Sequence, residues 1–437
     1  MKYKYNIKGI KRKQQHRYEI TGGFMKDKIK VGVIGVGRGR SFMNGTKYAG
    51  MELVAICDKW KEKLKEVNKK YNVAVYTDYD KFLNHKMDAV IVANYFHEHA
   101  PFAIKALRAG KHVMSECTPA KTMAECVELA REVEKSKKIY VLAENYPFTA
   151  FNQEMARLYK TGEIGKIIYA EGEYNHPMSA EQLLGISPGW NHWRSWMPAT
   201  YYCTHALAPL MAITGEMPVS VNGQAMANWE YARKMIRFQD PGSVMLVRTK
   251  GGSVFRIFGT FTPGHSIWYR LHGTRGSMEN VRSEGYWGNG QVRIVHEPFD
   301  LKSGESREKS YKPEFPGWAK ELAEKADHGG GDFFTNHIFA QAIRTGKQPF
   351  MNVYRSVAQS AVAIQGWRSC LDNGNYYPIP DFSKESERKK YENDNWSPFK
   401  EDKKNGLPPS SIEGDMEWTP AMRKKAKEIW KKTGYRP

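Results

Sequence analysis

The stretch Ile29-Lys30-Val31-Gly32-Val33-Ile34-Gly35-Val36-Gly37-Arg38-Gly39 decides the architecture. Its first six residues are a nearly continuous apolar run, the pattern of a strand buried on both faces of a parallel sheet. A glycine-rich turn follows at once, where missing Cβ atoms let the backbone approach a ligand closely and a following helix presents its N–H groups to an anion. Leu53–Asp58 reads as the second strand, with a charged helical stretch from Trp60 to about Lys70. Further apolar runs at Val73–Tyr76, Ala89–Ala93, Lys111–Ser115 and Ile139–Ala143 alternate with helical patterns. One of these, Thr122–Lys138, sets Met123, Cys126, Val127, Ala130 and Val133 on one face. Alternating strands and helices predict a doubly wound parallel sheet.

Asp58 closes the second strand, 23 positions after Gly35. A carboxylate there can accept both ribose hydroxyls of NAD and repels a 2′-phosphate. The turn and Asp58 together predict an α/β Rossmann domain over residues 28–148, with Gly35, Gly37, Arg38, Gly39 and Asp58 at the cofactor. The third glycine of the fingerprint is replaced by Arg40, and Arg38, Arg40 and Lys59 are suited to NADP; Asp58 favours NAD.

Beyond Tyr146 the pattern changes. A helix at about Ala150–Lys160 leads to strands at Ile167–Tyr174, Val219–Met226, Val244–Lys250, Val254–Thr262, Ile267–Gly273 and Val292–Val295. Lys250-Gly251-Gly252-Ser253 is a hairpin signal between two of them. Consecutive strands with short turns predict a large, mostly antiparallel sheet, and helices at about Pro316–Lys325, Phe333–Arg344 and Val353–Cys370 pack on it. This α+β domain for substrate binding and oligomerisation is expected over residues 149–382. Residues 383–437 read as an extended C-terminal tail ending in a short helix, capped at Thr419-Pro420 and stopped by Gly434, with Met422, Ala426, Ile429 and Trp430 on its apolar face.

Composition narrows the function. The chain has 437 residues and a formal charge of +20, but much of the excess sits in a basic N-terminal arm (1–27) and near the C-terminus. Charge dispersed in this way does not point to nucleic acid. No apolar run reaches the ~18 residues of a membrane span, and charge interrupts the N-terminus throughout, so neither membrane nor secretory signal is expected. Met25 is an alternative start. The five cysteines lack a CxxC spacing, which fits reduced thiols and a cytoplasmic location. Twelve Trp and 24 Tyr offer flat faces to sugar rings, although most such rings serve packing. His97 and His99 stand two apart in a loop, yet no carboxylate or cysteine completes a set at metal spacing, so no metal is expected.

Three segments carry a family likeness. Asp88–Ala93, Phe96-His97-Glu98-His99-Ala100-Pro101 and Ala109–Glu116, with Glu144-Asn145 after the next strand, resemble the Gfo/Idh/MocA oxidoreductases across roughly residues 28–380. The resemblance implies a C-terminal sheet often used for oligomerisation, so a dimer or tetramer, and a carbohydrate-type substrate. It places Phe96, His97, His99, Glu116 and Asn145 around the nicotinamide. Typical members carry Glu-Lys-Pro where this chain reads Glu116-Cys117-Thr118-Pro119, so the usual proton-handling lysine is missing. Lys121 lies past the proline and should point elsewhere.

The lysine-free pattern resembles the NAD-dependent glycosidases of glycoside hydrolase family 109, the α-N-acetylgalactosaminidases. So do Ala170-Glu171-Gly172-Glu173-Tyr174, Trp193-Arg194 and Tyr202-Cys203-Thr204-His205-Ala206-Leu207-Ala208-Pro209, the last departing at Cys203. That resemblance implies a redox-neutral cycle with tightly held NAD: oxidation at C3, loss of the C2 proton, elimination at C1, water addition and re-reduction. Tyr202 and His205 are expected to handle protons at the start of an apolar helix (Ala206–Ile213), with Tyr174 assisting and Arg194 positioning the sugar. Glu144 is either a cofactor-orienting group or a strand-end carboxylate. Asp332 and His328 are expected either near the substrate or, the preferred reading for Asp332, as the cap of the helix beginning at Phe333. Two alternatives remain: an NAD(P)-dependent sugar or cyclitol dehydrogenase, and a non-catalytic sugar- or nucleotide-sensing protein.

Overall fold

The computed structural model describes residues 28–227, 229–283, 288–402 and 407–435. The expected basic arm, 1–27, lies outside them. The first sheet contains β1 (Ile29–Ile34), β2 (Met51–Cys57), β3 (Ala74–Tyr76), β4 (Ala89–Val92), β5 (His112–Ser115) and β6 (Tyr140–Leu142). They pair in the order β3-β2-β1-β4-β5-β6, all parallel. β4 is buried along its whole length and β1 in five of six positions, as expected for central strands covered on both faces. The helix Met123–Ser136 buries all five expected apolar residues, and the Thr122 side chain caps its start by accepting from the Glu125 N–H.

The second sheet has nine strands: β7 (Ile167–Asn175), β8 (Pro218–Ala225), β9 (Gly242–Thr249), β10 (Val254–Thr260), β11 (Ser266–Gly273), β12 (Gly276–Asn280), β13 (Val292–His296), β14 (Glu308–Tyr311) and β15 (Tyr377–Pro378). Their order is β14-β13-β12-β11-β7-β10-β9-β8-β15, antiparallel except between β7 and β10. The Lys250–Ser253 turn joins β9 to β10, closed by a bond from the Thr249 N–H to the Ser253 carbonyl. The expected strands are all present. β12, β14 and β15 were not foreseen, because each is short and mixes polar with apolar residues.

Three features of the packing position the site. The helix Thr204–Thr214 lies buried against β7, and Gly172 makes that possible: a Cβ there would stand 2.1 Å from the Ala206 carbonyl oxygen. The helix Gly331–Thr345 returns to the first domain, where Phe339, Ala340 and Ala342 join the core beside β1. The tail docks on its own chain, with its helix at Pro420–Lys432. Met422, Ala426, Ile429 and Trp430 are buried there with Trp418, Leu184 and Phe238. Among the described residues no helix is long and apolar enough to cross a membrane, and all five cysteines are free and buried.

Candidate active site

The glycine turn leaves β1 where the strand order reverses, between β1 and β4, the position at which open α/β sheets bind ligands. Gly35 has φ 88° and a Cβ on it would meet the Ala93 carbonyl oxygen at 2.2 Å, so only glycine fits. A Cβ on Gly37 would meet nothing within 4 Å, leaving open space over the backbone where phosphates approach. Asp58 accepts from the Val36 N–H (2.9 Å) and the Trp60 N–H (2.9 Å), which ties the turn to the end of β2. This turn, the Gly39–Gly45 helix after it and the half-buried carboxylate fit a dinucleotide.

Beside the turn is a cavity of about 280 Å³. It gathers Arg38, Phe96, His99, Glu116 and Asn145 from the first domain with Tyr174, Arg194, Tyr202 and His205 from the second. His97 is not at its wall: its Nε2 faces Glu401 of the tail at 3.1 Å and its ring stacks on Phe399. His97 thus lies beside the cavity-lining Phe96 with tail residues against its ring. His99 is buried, with its ring nitrogens 3.0 and 3.2 Å from the Thr118 and Asn94 carbonyls, so it clamps two loops together. Lys121 turns to Asp402 at 2.5 Å, away from the cavity.

The chemistry centres on His205. Its Nδ1 is 2.7 Å from Glu144 Oε1, and its Nε2 is 3.3 Å from the Tyr202 hydroxyl. Glu144 is fully buried, and burial alone would raise its pKa. Attraction to His205 and hydrogen bonds from the imidazole, the Cys117 thiol and the Tyr146 N–H outweigh burial and hold the carboxyl below its ordinary range. An ionised carboxylate only accepts, so the His205 Nδ1 that faces Glu144 carries a proton, and Nε2 lies within reach of the Tyr202 hydroxyl. Burial pushes the Tyr202 phenol well above its ordinary range, so Tyr202 is protonated. The imidazole is held by the rings of Tyr146 and Tyr174, at 4.4 and 4.6 Å between centroids. The Tyr269 hydroxyl donates to the His205 carbonyl at 2.6 Å and anchors the start of the helix.

The Cys117 thiol donates to Glu144 Oε2 at 3.0 Å. Cys117, Glu144 and His205 together have the ligand types of a metal site, within 4.8 Å of one another. Burial and the adjacent carboxylates keep the thiol far above its ordinary pKa, in keeping with its role as a donor to Glu144.

A second cluster joins the domains. The Arg38 guanidinium makes a 2.7 Å bond to Glu116 and two bonds, of 3.0 and 2.8 Å, to Asp332. Asp332 also accepts from Asn145 Nδ2 at 2.9 Å and faces His328 Nδ1 at 2.9 Å. Asp332 is therefore not the expected helix cap: the helix starts at Gly331 behind Gly330, and the carboxylate serves Arg38 instead. Burial would raise its pKa, but Arg38 and His328 hold it far below the carboxylate range. Sequence reasoning left Glu144 undecided and passed over Tyr146. The signal was a carboxylate directly after β6, at the sheet's C-terminal edge where such folds bind ligands.

Three family profiles match the chain: "Oxidoreductase family, NAD-binding Rossmann fold" over residues 29–144; "GFO/IDH/MocA C-terminal domain" over 152–279; and "Glycosyl hydrolase 109, C-terminal domain" over 228–389. The protein thus combines Gfo/Idh/MocA oxidoreductase domains, the first an NAD-binding Rossmann domain, with a glycosyl hydrolase 109 C-terminal domain. Among similar proteins is a glycosyl hydrolase family 109 protein of Shewanella baltica, 24% identical over 396 residues, covering 82% of this chain and 86% of that one. Another, of Solibacter usitatus, is 26% identical over 420 residues, covering 86% and 93%. Solved structures share the fold. A levoglucosan dehydrogenase with NADH and levoglucosan has a TM-score of 0.67 at 19% identity, covering 81% of this chain and 100% of that one. An oxidoreductase from Agrobacterium radiobacter, bound to NAD+, L-tartaric acid and magnesium, has a TM-score of 0.66 at 15% identity, covering 81% and 99%.

Proposed function

We propose that this protein is a redox-neutral, NAD-dependent glycosidase in which Glu144, His205 and Tyr202 form the proton relay. The observation that carries the reading is the buried chain Glu144–His205–Tyr202 ending at the cavity, with a cysteine thiol and, among the described residues, no amine donating to Glu144. NAD, when bound, supplies a hydride acceptor at C3 of the sugar and returns the hydride in the same turnover. The chain's own groups do the rest. Tyr202 exchanges a proton with the sugar, and His205 Nε2 takes and restores the Tyr202 proton. Glu144 holds the imidazole in the tautomer this requires and stabilises it when it is charged. Tyr174 packs on the His205 ring and, with Arg194, orients the sugar.

NAD is preferred to NADP because Asp58 closes β2 beside the turn and its carboxylate would repel a 2′-phosphate, while the nearby cations each have an acidic neighbour. Arg40 lies 3.8 Å from Glu66, Lys59 lies 3.7 Å from Glu98, and Arg38 is held by two carboxylates. The cofactor is expected to stay tightly bound, since nothing needs to leave with it. Assembly as a homodimer or homotetramer is proposed through the open face of the nine-stranded sheet, where Leu246 of β9 stands exposed.

A panel of nitrophenyl α- and β-glycosides, assayed with and without added NAD, tests the reading. Catalytic nitrophenol release without net NADH is expected. Stoichiometric NADH from free sugars or cyclitols, with no glycoside cleaved, overturns it in favour of a dehydrogenase.

A further inference from the structure

The cavity wall holds three arginines, and only one of them is neutralised. Arg38 is matched to Glu116 and Asp332. Arg194 lies over the rings of Trp193 (4.4 Å) and Tyr202 (5.9 Å), with no carboxylate at ion-pair distance among the described residues. Arg237 is the more demanding case. It is 7% exposed, its Nε has no hydrogen-bond partner among the described residues, and its guanidinium lies 3.9 Å from the Phe261 ring centroid. Burial, reinforced by the charge of Arg194, pulls its pKa down to about 9. The one acid beside it on the wall, Asp240, is already committed: Oδ1 accepts from the Ser411 hydroxyl (2.7 Å) and Oδ2 from the Ile412 N–H (3.0 Å).

A buried, unpaired guanidinium is destabilising unless a ligand completes it. The local backbone adds to the cost, because Ile236, a β-branched residue, takes φ 54° immediately before Arg237. Two arginines lining one small cavity supply the charge and the hydrogen-bond donors that an oxyanion takes up. A neutral sugar would strip water from both without replacing it. The net charge of +20 favours the approach of an anion as well. The buried Gln239 Oε1, also on this wall and also without a partner, is left to accept from a sugar hydroxyl.

We infer that the sugar bound here carries an anionic substituent, a carboxylate or a sulfate ester, held by Arg194 and Arg237. This names the substrate class of the proposed site and rests on the reading of that site as a sugar site. The cavity, at about 280 Å³, suits a single sugar residue.

Calorimetric titration of the NAD-loaded protein with glucuronate, galacturonate and glucose 6-sulfate, against glucose and galactose, tests it. At least one anionic sugar is expected to bind about 30-fold or more tighter than its neutral parent. The carboxylate and sulfate arms tell the two sources apart. Arg237→Met is expected to reduce that preference to about threefold or less, while raising the melting temperature of the ligand-free protein, because it removes an unpaired buried charge. Arg194→Gln gives a second, independent loss of preference. Equal or tighter binding of neutral sugars by the wild-type protein overturns the inference, whether or not glycosides are cleaved. A variant Arg237→Met that melts lower and keeps the preference also overturns it, by marking Arg237 as structural. Anionic sugars that bind tightly but are never hydrolysed would uphold the substrate class while defeating the glycosidase reading.

Discussion

Replacing Glu144 by glutamine removes one charge from the relay and almost no volume. The glutamine oxygen can still accept from His205 Nδ1 at the present 2.7 Å, so the ring keeps its place. What is lost is the anion that stabilises the imidazole when it takes the Tyr202 proton. A hydrogen bond to a charged group contributes about 1.5–3 kcal/mol net, and the attraction between buried charges adds to it. A loss of about 2–4 kcal/mol corresponds to roughly 30- to 1,000-fold in kcat. KM should change little, because Glu144 lies behind the cavity wall and does not form it. The assay is steady-state hydrolysis of the best glycoside in the panel, paired with nitrogen NMR of the His205 ring. The wild-type spectrum should show protonated Nδ1 and unprotonated Nε2. A variant whose kcat stays within about threefold of wild type, with the ring tautomer unchanged, would refute the assignment of Glu144. The pH dependence follows from the same pair. Because the folded Glu144 pKa lies below its ordinary value of 4.5, its stabilising contribution is present above that pH and fades as pH falls through the folded value. The stability gap between wild type and Glu144→Gln should therefore narrow in acid, as read from denaturant melts.

Three further outcomes are expected. Gly35→Ala should abolish NAD binding and destabilise the first domain by about 3 kcal/mol or more, because the new Cβ would collide with backbone at 2.2 Å; calorimetry and thermal melts read both. Trp430→Ala should lower stability by about 3–5 kcal/mol in urea titrations, since the ring is fully buried and its Nε1 donates to the Leu184 carbonyl. Asp240 has a folded pKa raised by burial to about 6 from 3.8, so its ionisation opposes folding. Wild-type stability should fall as pH rises through that interval, and Asp240→Asn should flatten the profile there in pH-resolved melts.

Local patterns carried much of this structure, while contacts distant in sequence did not. The run from Ile29 to Gly39 and the spacing to Asp58 define the first domain, because a parallel strand, its turn and its helix are consecutive in the chain. The tail helix was equally legible: Thr419, Pro420 and Gly434 mark its ends, and its four apolar residues are those buried. The Arg38–Asp332 pair was not legible. Its partners are 294 residues apart and meet only because the helix Gly331–Thr345 folds back onto the first domain. Seen alone, an aspartate beside a helix start reads as a cap. Glu144 was ambiguous for a related reason. Its role depends on the Gly172 contact that presses the His205 helix onto β7, and no periodicity encodes that contact. Arg237, in the short irregular stretch between the Trp229–Lys234 helix and β9, has no motif around it. Only burial without a partner singles it out.

Transient oxidation followed by elimination leaves an isotopic signature when hydrolysis is run in D2O. Loss of the C2 proton to solvent is part of that route and of no direct displacement at C1. Product sugar isolated from D2O with one deuterium at C2, detected by proton NMR, is the predicted result. Hydrolysed sugar that retains its C2 hydrogen would contradict the account.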